Sequence, residues 1–229
     1  MDISALAGAG AWVFDLDNTL YPASCGLFAQ IDDRMRGFIA GLFGIPLDQA
    51  QNIQKSYFAE YGTTLRGLMD SRGIDPQPYL KYVHDIDIGP INPDPALEAV
   101  LAKLGGRKII FTNATRAHAR RVMERLGVGH HFEAVFDIES AGFLPKPRPE
   151  IYKKLVTDYD LDPSRTVMIE DIARNLAPAA DIGMTTLWLR GETRWGKEGA
   201  DMSGGGAHIH YQTGELTGWL EDAAAAAGH

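Results

Sequence analysis

The sequence predicts an α/β fold, a doubly wound parallel sheet carrying an inserted helical cap domain. Short apolar runs rich in Val, Ile, Phe and Trp recur along the chain, and helical patterns separate most of them. One long interval, residues 21–90, breaks that alternation and holds helical patterns only. The runs fall at Ala11–Phe14, 108–112, 134–137, 166–169 and Thr185–Leu189, and they resemble strands buried on both faces. Of the intervening helices, 95–104 starts after Asp94, which can cap it. The stretch 115–126 has apolar residues at helical spacing and ends at Gly127, and Pro149–Tyr159 follows a proline-rich turn. Strands alternating with helices of this length imply right-handed βαβ units.

Within the interval, 28–43, Leu47–Tyr61, 65–71 and 77–83 read as helices. Gly89-Pro90 and Asn92-Pro93 then mark the return, because Pro93 disfavours helix at Asn92. The expected organisation is a core of residues 1–20 and 91–229 and a cap of residues 21–90. Ser203-Gly204-Gly205-Gly206 and a late alanine run suggest a flexible loop and a weak terminal helix with no assigned task.

The 229 residues, 45% of them hydrophobic, suffice for a substantial core. Lysine and arginine number 22 against 30 acids, and a net charge of −8 disfavours a polymeric nucleic-acid partner. The single cysteine, Cys25, has no internal partner, which fits a reducing compartment. No apolar stretch reaches the length of a membrane span, and the start MDISALAGAG has an acid where a signal peptide would be basic, so a cytoplasmic location is expected.

The chemistry gathers at strand ends. Asp15 and Asp17 stand two residues apart where the first run stops, and open parallel sheets bind ligands at that edge. An Asp pair there is by itself more often a turn or a helix cap. Three further ends add complementary groups. Thr112 and Asn113 offer a hydroxyl and an amide suited to phosphate oxygens. Lys146 sits in the proline-bounded turn Pro145-Lys146-Pro147-Arg148-Pro149 and can neutralise a phosphoryl group. Glu170-Asp171 adds two acids, and so many carboxylates in one crevice require a cation, for which hard oxygens beside phosphate favour magnesium.

At these residues the chain resembles the haloacid dehalogenase superfamily, whose pattern is an Asp-x-Asp-x-Thr strand end, a Thr or Ser strand end, a Lys and a terminal acidic pair. The resemblance runs in order along nearly the whole chain and implies a doubly wound core with a helical cap after the first motif. It implies that Asp15 is the nucleophile and Asp17 the general acid and then base. Asp15, the backbone carbonyl of Asp17 and Asp171 would hold Mg2+, with Glu170 beside it or acting through water. Thr112 and Asn113 would bind the phosphoryl group, and Lys146 would balance its charge. Ile172 departs from the pattern, since many relatives have serine there, and Asn175 stands where relatives place an Asp or Asn near the lysine. Dehalogenases of the superfamily do not keep an acid at the second Asp position, so Asp17 argues for phosphate chemistry.

His130-His131, His208, His210 and Arg194-Trp195 are not expected as ligand groups, the adjacent histidines because neighbouring side chains diverge. Substrate choice should lie in the cap, where Tyr57 to Leu68 places aromatic rings, hydroxyls and Arg66 around Gly62. Tyr57, Tyr61 and Leu65, at i, i+4 and i+8, equally fit the packed face of a helix. The Tyr-Gly-Thr-Thr-Leu-Arg-Gly-Leu stretch, with Leu20-Tyr21-Pro22 and Phe111-Thr112-Asn113-Ala114, looks like the pyrimidine 5'-nucleotidase branch. That likeness implies UMP or CMP as substrate, met by Tyr61, Thr63 and Arg66. A phosphoglycolate or sugar-phosphate phosphatase is the alternative enzyme, and an inactive binding or regulatory module the alternative outside catalysis. In each enzyme reading the partner is a small phosphorylated metabolite.

Overall fold

The computed structural model describes residues 3, 6, 8–191, 195–197 and 206–226. Arg194, the side chain of Trp195, and Ser203, Gly204 and Gly205, singled out above, lie outside them. Six strands, β1 (Ala11–Phe14), β2 (Arg107–Phe111), β3 (Ala134–Phe136), β4 (Thr166–Glu170), β5 (Thr185–Leu189) and β6 (Tyr211–Thr213), form one parallel sheet in the order β3-β2-β1-β4-β5-β6. The predicted α/β class holds. Five of the six strands coincide with the apolar runs. The sixth, half-exposed at the sheet edge, has no apolar run to announce it.

β1 lies between β2 and β4, with Phe14 beside both Ile110 and Ile169. Its four residues are all buried and divide by the two-residue period of a strand. Trp12 and Phe14 pack with α5 (Pro95–Lys103), α6 (Arg116–Leu126) and α9 (Leu216–Ala226) on one face. Ala11 and Val13 pack with α7 (Pro149–Tyr159) and the short α8 (Ala177–Asp181) on the other. The terminal helix is firmer than its alanine run suggests, since α9 buries Leu216, Trp219 and Leu220, and Trp219 meets Trp12 edge to face.

Between β1 and β2 the chain builds α1 (Leu27–Phe43), α2 (Leu47–Tyr61), α3 (Thr64–Arg72) and α4 (Pro76–Val83), with no strand among them. These helices bury a cluster of their own, centred on Ile39, Leu65, Leu68, Tyr79 and Leu80 and joined by Ile138 from beyond β3. Their ends follow local chemistry. Gly44 and Gly73 take left-handed C-caps, and Asp75 accepts the Gln77 N–H ahead of Pro76. No helix among the described residues is long and apolar enough to cross a membrane.

The packing of α2 on α3 sets a sharp requirement at Gly67. A β-carbon there would lie 2.4 Å from Cγ and 2.5 Å from Cβ of Tyr57, stem atoms that cannot swing away. Alanine gains about 1 kcal/mol of helix propensity, but overpacking costs about 1–3 kcal/mol. Gly67→Ala should therefore destabilise the protein in urea denaturation, and a stabilised variant would contradict this packing.

Candidate active site

The register of three strands assembles the site. One residue beyond the paired Phe14, Ile110 and Ile169, Asp15 comes level with Phe111 and Glu170, and the Asp15 N–H still donates to the Ile169 carbonyl at 2.9 Å. Lys146, in the turn before α7, reaches into this row. Its ammonium donates to Asp15 Oδ1 at 2.6 Å, Glu170 Oε2 at 2.7 Å and the Phe111 carbonyl at 2.9 Å. An ammonium has three protons, and all three are satisfied. Asn113 Oδ1 accepts the Lys146 N–H at 2.8 Å, which pins the turn to the end of β2. Thr19 Oγ1 donates to the other Asp15 oxygen at 3.0 Å.

Burial is close to complete. Lys146 is 2% exposed, Glu170 1%, Asp171 4% and Asp15 6%. Burial, and then the Glu170 charge, push the Asp15 carboxyl up to about 7, although Lys146 pulls the other way. Asp171 is raised well above the usual carboxylate range by burial and by Glu170 and Asp15. Burial would lower Lys146, but Asp15 and Glu170 outweigh it and hold the ammonium charged. Three acids thus face one cation. Ligand oxygens of Asp15, Glu170 and Asp171 lie within 4.8 Å of one another, and all three residues are buried. Hard oxygen donors that repel one another when ionised suit a small divalent cation such as Mg2+.

Asp17 belongs to different surroundings. The chain turns at Asn18, whose φ of 62° is left-handed, and Asp17 Oδ1 accepts from Tyr21 Oη at 2.5 Å and lies 2.9 Å from His118 Nε2. Burial alone would raise the Asp17 carboxyl, yet His118 and Tyr21 outweigh it and hold it below its ordinary value. The sequence reading missed His118. It sits on α6 among the buried residues Ala119, Val122, Met123 and Leu126, so a histidine on an otherwise apolar helix face was the available signal.

The remaining expected residues are placed as follows. Thr112 is buried at the end of β2, and its Oγ1 accepts the Ala114 N–H. The Ile172 backbone N–H donates to Glu170 Oε1 at 3.2 Å, so the loop has a hydrogen bond that needs no side-chain hydroxyl at that position. Glu170 is thereby fixed to Lys146 and to its own loop. Asn175 is buried with its carbonyl accepting from Tyr152 Oη, and none of the Lys146 donors goes to it. Thr63 caps α3 by accepting the Arg66 N–H, Arg66 pairs with Asp70 on its own helix, and Tyr61 meets Tyr57 edge to face. Gly62, between Tyr61 and Thr63, comes close to the site, since a β-carbon there would lie 3.6 Å from the Lys146 carbonyl. His130 and His131 do not diverge as expected, and both approach Glu98. His210 Nδ1 accepts the Thr186 N–H, and Thr186 Oγ1 donates to the His208 carbonyl.

A carboxylate at the carboxyl edge of a parallel sheet, backed by a buried lysine and an acidic cluster, lies where open parallel sheets bind their ligands. The chain belongs to the haloacid dehalogenase-like hydrolase family, which it matches over residues 10–183. It is 28% identical over 190 residues to phosphate metabolism protein 8 of Saccharomyces cerevisiae, covering 75% of this chain and 58% of that protein. It therefore spans less than two thirds of that relative. It is 25% identical over 197 residues to a glyceraldehyde 3-phosphate phosphatase of Methanopyrus kandleri, covering 79% and 83% of the two chains. A haloacid dehalogenase family hydrolase from Deinococcus radiodurans, solved with phosphate and sodium, superposes with a TM-score of 0.57 at 21% identity, over 97% of each chain.

The raised carboxyls make stability depend on pH in a definite direction. Because the native state holds the Asp15 proton more tightly than the unfolded chain, that contribution is present below the ordinary value of 3.8 and is lost as pH rises through about 7. Metal-free protein should lose thermal stability from about pH 5.5 to about pH 8, and Mg2+ should raise the midpoint more at the higher pH. Equal Mg2+ increments at both pH values would contradict the acidic cluster as the cation site.

Proposed function

We propose that this chain is a magnesium-dependent phosphomonoesterase that forms an aspartyl phosphate on Asp15. The observation that carries the reading is the single lysine shared by two buried carboxylates at the sheet edge, one of which, Asp15, is also a member of the acidic cluster that could hold a cation. Asp15 and Asp171, with the backbone carbonyl of Asp17, would hold Mg2+, and the cation when bound would screen charge between the carboxylate and the phosphoryl group.

In the first half-reaction an Asp15 oxygen attacks phosphorus in line, the ester P–O bond breaks, and Asp17 gives its proton to the departing oxygen. Lys146 offsets the negative charge gathered at Asp15, and Thr112 and Asn113 orient the phosphoryl oxygens. In the second half-reaction water attacks phosphorus, its proton passes to Asp17, and the Asp15 carboxylate is released with inorganic phosphate. The two carboxylates stand in separate environments, Asp15 bound to an ammonium and Asp17 to a phenol and an imidazole.

Residues 21–90 form the cap in this reading and select the substrate, because the core grips only the phosphoryl group. The nucleotidase-like stretch and the nearness of Gly62 to the Lys146 turn support Tyr61, Thr63 and Arg66 as the residues that meet a pyrimidine nucleoside monophosphate, UMP or CMP. The archaeal relative named for glyceraldehyde 3-phosphate supports a second reading, a small sugar phosphate.

Asp15→Asn should abolish magnesium-dependent phosphate release while leaving a folded protein, since an amide is no nucleophile here; substantial residual turnover would sink the covalent reading. On substrate choice, kcat/KM for UMP and CMP should exceed that for AMP, phosphoglycolate and glyceraldehyde 3-phosphate. Arg66→Ala should lower it for UMP more than for an aryl phosphate. A preference for glyceraldehyde 3-phosphate would overturn the nucleotidase reading and leave the Asp15 chemistry standing.

A further inference from the structure

Asp17 accepts two hydrogen bonds, and both fall on the same oxygen. Tyr21 Oη and His118 Nε2 converge on Oδ1, and none of the described residues bonds Oδ2. Oδ1 only accepts, whether Asp17 is ionised or carries its proton on Oδ2, so in this pair His118 Nε2 carries the hydrogen. The imidazole comes from α6, 101 residues along the chain, and is 1% exposed. Its other nitrogen, Nδ1, is buried without a partner, so the side chain has one hydrogen bond, and that bond goes to Asp17.

The ring is held from behind. His84, which ends α4, stacks on it with centroids 4.7 Å apart and planes 20° from parallel, and His84 Nδ1 lies 3.3 Å from Thr115 Oγ1. Arg121, one turn along α6, donates to the carbonyls of His84 at 2.9 Å and Ile86 at 2.8 Å. The return from the helical insertion is thus tied to the helix that carries His118. A buried polar ring with one unpartnered nitrogen is costly for stability alone, and an apolar side chain would fill the same space without that cost. Its presence points to what the other nitrogen does.

We infer that His118 is a positioning residue for phosphoryl transfer, whose Nε2–H fixes Oδ1 of Asp17 so that Oδ2 alone is left to exchange a proton with the leaving-group oxygen and then with water. The inference rests on the phosphomonoesterase reading. Oδ2 takes a proton from solvent as the substrate binds, and that proton moves to the ester oxygen as its bond to phosphorus breaks and the Asp15–phosphorus bond forms. The proton of the attacking water returns to Oδ2 as that bond breaks.

The test compares two substitutions at constant pH with saturating Mg2+. His118→Phe keeps the ring volume and removes the donor, and His118→Gln restores an N–H of similar reach. The readout is kcat/KM, which reports transfer up to departure of the leaving group even where hydrolysis of the aspartyl phosphate limits kcat. His118→Phe should lower kcat/KM for an alkyl ester, a nucleoside 5'-monophosphate, by roughly tenfold or more, and for p-nitrophenyl phosphate, which needs little protonation, by less than about threefold. His118→Gln should recover most of the alkyl-ester loss. In an Asp17→Asn background His118→Phe should add no further loss, a comparison that separates positioning from general destabilisation. Equal losses on the two esters, no recovery with glutamine, or an additive loss in the Asp17→Asn background would overturn the inference. A wild-type protein inactive on both esters would instead overturn the phosphatase reading on which it depends.

Discussion

The Lys146 ammonium is the interaction on which the site depends. It joins the ends of β1, β2 and β4 at one point, because Asp15, Phe111 and Glu170 are neighbours in register and each offers it an oxygen. Taking a lysine and three acids out of water is expensive, and well-packed apolar groups would hold the same strands together at less cost. The arrangement makes sense as stored electrostatic potential, fixed before a substrate arrives and needing no rearrangement when charge develops. The parallel sheet makes this possible, since it delivers three strand ends to one edge with their side chains in a common row.

The two aspartates of the first motif are separated by the turn between them. Asp15 continues the β1 row and sits with the groups of the α7 face, where Lys146 enters. Asp17, past a buried Leu16 and ahead of the left-handed Asn18, is bonded by Tyr21 and by His118 of α6, which packs on the opposite face. One carboxyl is raised and the other lowered, although they stand two residues apart. These directions describe the metal-free site: a cation bound by the acidic cluster would favour the ionised Asp15 that a nucleophile needs, whereas Asp17 must take up a proton against the pull of its two partners to act as an acid.

Much of this was legible in the sequence, for reasons that differ by element. Strands buried on both faces announce themselves as apolar runs, so β1 to β5 could be found, whereas β6 at the edge has the mixed character of Tyr211, Gln212 and Thr213 and could not. Asp15, Lys146 and Asp171 stood out only together, because an Asp pair at one strand end reads as a turn or cap until other segments add a cation and further acids. The lysine's partner Glu170 was read only as a neighbour of the metal, because no spacing rule reveals that two strands come into register. His118 was hidden for the same reason: its partner lies 101 residues away, and within α6 it occupies a position that any packed side chain could fill. In the helical insertion, Thr63 and Arg66 have local structural duties that the sequence pattern could not separate from a role toward substrate.

The claim that everything else serves is that Asp15 becomes covalently phosphorylated. The most direct measurement uses Asp17→Asn protein, in which loss of the base slows hydrolysis of the intermediate. It is mixed with p-nitrophenyl phosphate and Mg2+, quenched in acid and reduced with borohydride, which converts an acyl phosphate to the corresponding alcohol. Peptide mass spectrometry should find homoserine at position 15, dependent on substrate and absent without it. An unmodified Asp15 in protein that has released a stoichiometric burst of p-nitrophenol, or a modification at another carboxylate, would contradict the account.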